Sequence, residues 1–169
     1  MNKHTGISRW QLTTLVALRM LIGWHLLYEG ISKLIHPEWS SIGFLSESQG
    51  PLSGFASWII SNETVLNAVD FLNTWGLIAI GLGLIMGLFT RIASYAGAAL
   101  LLVYYLMNLP FIGLEPTGPM EGNYLLVNKT FIEAVTLLLL AIFPDSRQYG
   151  LDSLIKKNRK KLQYHATEE

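Results

Sequence analysis

Four ionisable residues, Arg19, His25, Glu29 and Lys33, interrupt the apolar run "RMLIGWHLLYEGISKL" (19–34). At 100° per residue His25, Glu29 and Lys33 form an i, i+4, i+8 ladder across about 80° of a helix, and Arg19 lies about 40° beyond Lys33. All four therefore share one third of the circumference. An imidazole and a carboxylate spaced this way can exchange protons, and the cations beside them can set the local field or donate to an oxygen-bearing head group. A lone charge at a bilayer centre costs roughly 2.5 to 3.5 kcal/mol, so the stripe is expected to face other helices and not lipid.

A second set of polar residues falls at matching depths. Counting 1.5 Å per residue inward from the outer end of the first helix puts Glu29 at about 9 Å and His25 at about 15 Å. The last apolar segment runs the other way, and counting from Tyr124 puts Asn128 at about 6 Å, Lys129 at about 7 to 8 Å and Glu133 at about 13 to 14 Å. Two matches follow, Glu29 with Lys129 and His25 with Glu133. Asp70 and Asn73 are expected to open the second helix at the same level, and Tyr104, Tyr105 and Asn108 to close the third. His25, Glu29 and Glu133 are thus the proton-handling candidates. The candidate ligand-binding set is Arg19, His25, Glu29, Lys33, Asp70, Asn73, Tyr104, Asn108, Asn128, Lys129 and Glu133. Arg19 stands apart, deep on the inner side.

The elements that must position these residues are long apolar helices. The chain is 51% hydrophobic and only 14% charged, against roughly 25% charged in an ordinary soluble domain. Segments at about 11–35, 70–89, 92–109 and 124–143 approach or exceed the roughly 17 to 25 residues that span a hydrocarbon core. The expected fold is all-α, an integral-membrane four-helix bundle forming one domain over 1–145, with a basic tail over 146–169. "PLSGFASWII" (51–60) is too short to cross and reads as an interfacial or re-entrant segment in a long outer loop. Residues 36–69 and 110–123 contain no Lys or Arg, whereas Lys3, Arg9, Arg91 and "KKNRKK" (156–161) are basic. By the positive-inside rule both termini are cytoplasmic and the two long loops face outward. Gly83 and Gly87, with Ala93 and Gly97, have the spacing that lets helix backbones approach. They are expected to pack the second helix on the third, and the same pattern also suits a homodimer.

Several chemistries drop out. No cysteine is present, which removes thiol–disulfide exchange, thiolate metal sites and iron–sulfur ligation. Only His25 lies deep in an apolar segment, so an intrinsic bis-histidine haem is not expected, and too few ligands share one depth for a metal site. The net charge of +0 gives no reason to expect a nucleic-acid partner. What remains is a pocket that hydrogen-bonds and exchanges protons with an amphipathic molecule. A quinone fits, with its carbonyls accepting from His25, Lys129 or Tyr104 and its tail in lipid. A sterol or a lipid head group fits almost as well.

The quoted run, followed by "HPEWSSIGFL" and "WGLIAIGLGLIMGLFTRIASYAGA", resembles the DoxX/DoxD-like membrane proteins over about residues 10 to 145. The pattern is carried by Arg19, Gly23, Trp24, Tyr28, Gly30, Lys33 and Leu34, and by the Gly-rich second helix into Gly87, Thr90 and Arg91. The closer similarity is to the DoxD-type subunit of thiosulfate:quinone oxidoreductase. The resemblance implies a four-helix inner-membrane protein of a bacterium, working as a quinone-linked, partner-dependent subunit. The expected partners are the bilayer, a quinone or lipid-like ligand, and a periplasmic or membrane protein that supplies electrons. The rival expectation is a non-enzymatic lipid- or sterol-binding protein or assembly factor. A transporter is disfavoured because no polar track reaches the cytoplasm.

Overall fold

The computed structural model describes residues 8–109, 126–143 and 150–153, and they are overwhelmingly helical. The helices are α1 (Arg9–Ile35), α2 (Ile42–Ser46), α3 (Ser53–Ile60), α4 (Glu63–Met86), α5 (Thr90–Met107) and α6 (Lys129–Ile142). α4 and α5 are long and apolar enough to cross a membrane. α1 has the length, but its ionisable stripe lowers its hydropathy, and α6 is fourteen residues long.

Capping chemistry sets most boundaries. Ser8 starts α1 with a reciprocal box: its hydroxyl accepts from the Gln11 amide, while the Gln11 side chain accepts from the Ser8 amide. Asn62 caps α4 by accepting from Val65 N, and Asn128 caps α6 by accepting from Phe131 N. Two Asn-x-Thr triplets, at 62–64 and 128–130, are therefore helix starts. α4 stops at Gly87, whose φ of +64° is the left-handed conformation glycine adopts without penalty.

These caps correct the expected boundaries. The second long helix begins at Glu63, about two turns before Asp70, so Asp70 and Asn73 lie within it. Polar Asn67, Asp70 and Asn73 depress the hydropathy of this stretch, yet Val65, Leu66 and Val69 keep the helical repeat and pack inward. Asn128 precedes α6 and is not inside it. Tyr124 lies outside the described residues, as does most of the 146–169 tail.

The main core draws Ile22 and Leu26 from α1, Leu77, Ile80 and Leu84 from α4, Ala98 and Leu101 from α5, and Ala134, Leu137 and Leu140 from α6. α1 packs extensively on α4, and α5 on α6, while α1 and α6 touch little. The α1–α4 seam is closed by glycine. A Cβ on Gly81 would stand 2.6 Å from Leu27 N, one on Gly30 2.7 Å from Ile78 Cγ1, and one on Gly23 2.9 Å from Leu84 Cβ. The close seam is thus α1 on α4, where small residues bring backbones together. The expectation for Gly83 and its neighbours holds only in part. Gly83 does face Ala93, and Gly97 lies against Ile80 of α4 as well as Leu137 of α6, but Gly87 ends α4.

Between α1 and α4, the short helices α2 and α3 fold over one end. Leu45, Ala56 and Ile59 meet Leu66 and Met107 in a second apolar cluster. The loop is pinned by Ser41 N donating to Asp70 Oδ1 at 2.9 Å, and by Gly50 N and Ser48 Oγ donating to Met107 O at 3.1 and 2.7 Å. α3 coincides with the segment expected to be too short to cross, and its stacked Phe55–Trp58 pair points outward. Around the long helices Trp24, Phe71, Leu72, Trp75, Ile92, Val103 and Ile132 are exposed. In water these would form an unpartnered apolar surface far larger than a monomer ordinarily carries; in a bilayer they face their solvent.

Candidate functional site

α1 and α6 diverge enough to leave a cleft of about 230 Å³ between them. α1 contributes His25, Leu26, Glu29 and Lys33, and α6 contributes Lys129, Thr130 and Glu133. Leu77 of α4 with Leu101 and Tyr104 of α5 close the back. The helical repeat explains this wall: side chains three or four apart on α1 and on α6 project into the same space.

His25 Nδ1 lies 2.9 Å from Glu133 Oε1, with side-chain exposures of 32% and 17%. Glu29 is not drawn to Lys129. Its carboxylate lies 3.8 Å from Lys33 Nζ, one turn along α1. Lys33 also donates to Asn73 Oδ1 at 3.4 Å, and Tyr104 OH donates to the same oxygen at 2.7 Å. The Lys33 ammonium sits 5.1 Å from the Trp39 ring centre and 5.9 Å from that of Tyr104, within cation–π range. Phe44 meets Tyr104 edge-on at 5.5 Å. The Lys33 end of the cleft is therefore a braced cation, and its His25 end is an imidazole–carboxylate pair.

The structure brings His25, Glu29, Lys33, Tyr104, Lys129 and Glu133 to one cleft, with Asn73 bracing it from behind. It places the remaining candidates elsewhere, each for a visible reason. Asp70 is turned to the loop, where it accepts from Ser41 N. Asn108 ends α5 against the α2 segment, within reach of the carbonyls of Phe44 and Glu47. Asn128 is committed to its cap. Arg19 is 2% exposed and lies against Gly87 at the opposite end of α1, where the Asp152 charge acts on it.

Three contributors were not anticipated. The turn after His36 brings Trp39 onto Lys33. Thr130 is hidden by the flanking charges of α6. Asp152 lies beyond the last apolar segment, and its approach to α5 spans 62 residues.

The cleft can donate hydrogen bonds, exchange protons and hold an uncharged ring against Leu26, Leu77 and Leu101. Two carboxylates (Glu29, Glu133), two ammonium groups (Lys33, Lys129) and the His25 imidazole line it. Among the described residues no cluster of three or more His, Asp or Glu side chains is arranged to hold a metal ion.

A family model described as DoxX matches residues 14–108, more than half of the chain. The chain belongs to the DoxX family. This DoxX protein is a small membrane protein, and the matched stretch runs from α1 through α5. It includes the His25, Glu29 and Lys33 wall, whereas Lys129 and Glu133 on α6 lie beyond it. No curated protein and no solved structure gave a significant match to the chain.

Proposed function

We propose that this DoxX protein is a small membrane subunit of a quinone-linked oxidoreductase complex, akin to the DoxD-type subunit of thiosulfate:quinone oxidoreductase. It binds a quinone, or a similar amphipathic ligand, in the cleft between α1 and α6. In this reading α1, α4, α5 and α6 form a four-helix bundle in the inner membrane. Both termini are cytoplasmic, and α2 and α3 lie on the outer side. The absence of Lys and Arg from 36–69 and 110–123 supports that orientation.

The observation that carries the proposal is the His25–Glu133 contact set in a cleft with an apolar back wall. A cleft of about 230 Å³ is smaller than the roughly 300 to 1,000 Å³ that encloses a whole drug-sized ligand. It suits a ring-sized head group whose tail remains in lipid. Reduction of a quinone takes up two electrons and two protons; a periplasmic partner supplies the electrons. His25, Glu133 and Glu29 supply and replace protons, and Lys33 and Lys129 donate to the ring oxygens, while Tyr104 donates to Asn73, the side chain that also holds Lys33. Because α1 and α6 touch little, the cleft can admit a ligand sideways from the bilayer.

The test is to purify the protein in mild detergent, extract bound small molecules and titrate a short-chain ubiquinone. Retained quinone, and at least tenfold weaker binding by a Glu29→Gln/Glu133→Gln double variant, support the proposal. Protein that holds only phospholipid or sterol, with the double variant unaffected, replaces it with a non-enzymatic lipid-binding role.

A further inference from the structure

At the inner end of α1 a second constellation forms from residues that the cleft does not use. Asp152 Oδ1 accepts from Phe89 N at 2.9 Å, and Oδ2 accepts from Thr90 N at 3.1 Å. Its own amide donates to Gly87 O at 3.0 Å. Gly87 and Gly150 touch backbone to backbone, and a Cβ on either would stand 2.8 Å from the other's Cα. The guanidinium of Arg19 lies against Gly87, about 3.0 to 3.2 Å from where that Cβ would stand, and feels the Asp152 charge. Arg19 itself is 2% exposed.

Each part has a physical reason. The first amides of an α-helix have no partner within the helix and carry the positive end of its dipole. α5 has no side-chain cap of its own, because Phe89 occupies the N-cap position with a left-handed φ of +50°. That strained turn presents two adjacent amides in one direction, and a carboxylate spans them with its two oxygens. The buried cation alongside adds a charge that a neutral cap would not satisfy.

We infer that the Gly87–Thr90 turn, together with Arg19, is a carboxylate-binding site, and that Asp152 is its built-in ligand. The site ties the segment after α6 to the α4–α5 turn, against which Arg19 of α1 lies, and α1 also carries His25 and Glu29. The tie does not depend on what the cleft binds.

Chemical rescue tests it. In Asp152→Ala the site loses its ligand, and hydrogen exchange of the peptide covering residues 87–92 is expected to accelerate by about tenfold, the scale of a lost helix cap. Formate, small enough to enter the vacated space, is expected to restore slow exchange, while chloride at equal ionic strength is not. Adding Arg19→Met to Asp152→Ala is expected to abolish the rescue. Should Asp152→Ala fail to fold, Asp152→Asn, which keeps one acceptor, is measured for exchange in its place, and intermediate acceleration supports the site. Unchanged exchange in either variant, or equal effects of formate and chloride, overturns the inference.

Discussion

His25 of α1 and Glu133 of α6 approach to 2.9 Å across a sparsely packed helix–helix seam. The seams to either side are packed tightly, α1 on α4 through glycine and α5 on α6 through Gly97 and Leu137. A polar contact therefore does at this seam what apolar packing does elsewhere. It holds two helices at a fixed separation while leaving space beside them.

Removing one partner should cost more than removing both. His25→Ala or Glu133→Ala leaves a half-buried polar group without its neighbour, at about 1 to 3 kcal/mol. The double variant is expected to lose less than the sum of the two. Thermal unfolding of all four proteins in the same detergent gives the coupling, and strict additivity would show that the contact contributes no energy.

The glycines divide into those with room and those without. Gly81→Ala is expected to destabilise by about 1 to 3 kcal/mol, because its methyl would meet the α1 backbone at Leu27. Gly76→Ala, on the same helix, meets nothing within 4 Å and is expected to stabilise by about 0.5 to 1 kcal/mol. Melting temperatures moving in opposite directions are the readout; a shared direction would contradict the seam.

Tyr104→Phe removes the donor to Asn73 and leaves the ring in place against Phe44 and Lys33. A loss of about 1 kcal/mol in stability is expected. Quinone titration of the same variant is expected to show weaker binding, while Tyr105→Phe, whose hydroxyl donates to Leu126 O, should leave binding unchanged. Equal effects of the two would remove Tyr104 from the site.

Asn62 and Asn128 act through their side chains on the amides three residues on. Replacement of either by Ala is expected to cost about 0.5 to 2 kcal/mol, and replacement by Ser or Asp only a fraction of that. Full tolerance of Ala at both positions, read from unfolding midpoints, would contradict the caps.

Much of the cleft was legible because helix geometry is arithmetic. A fixed rise and rotation put His25, Glu29 and Lys33 on one stripe, and antiparallel counting put Glu133 level with His25. The same counting set Glu29 level with Lys129, yet rise alone ignores azimuth, and Lys33 one turn away is the nearer cation. The start of α4 was hidden because hydropathy penalises Asn67, Asp70 and Asn73, although the cap signal at Asn62 was present. Trp39 on Lys33 and Asp152 on α5 depend on how turns re-enter the fold, and no local pattern encodes that.

The stripe on α1 has a bearing on how the chain is made. Among the described residues α4 and α5 meet the length and hydropathy of a free-standing span, and α1 does not. Yet α1 is synthesised before them. Groups that meet its stripe come later, Asn73 on α4 and Glu133 on α6. During synthesis α1 is therefore a poor resident of lipid until its partners emerge, and the glycine seam with α4 is the first shelter available to it. In the proposed four-helix reading, commitment of α1 to the bilayer waits for α4, so a stalled nascent chain ending before α4 should remain extractable from membranes where the full chain does not.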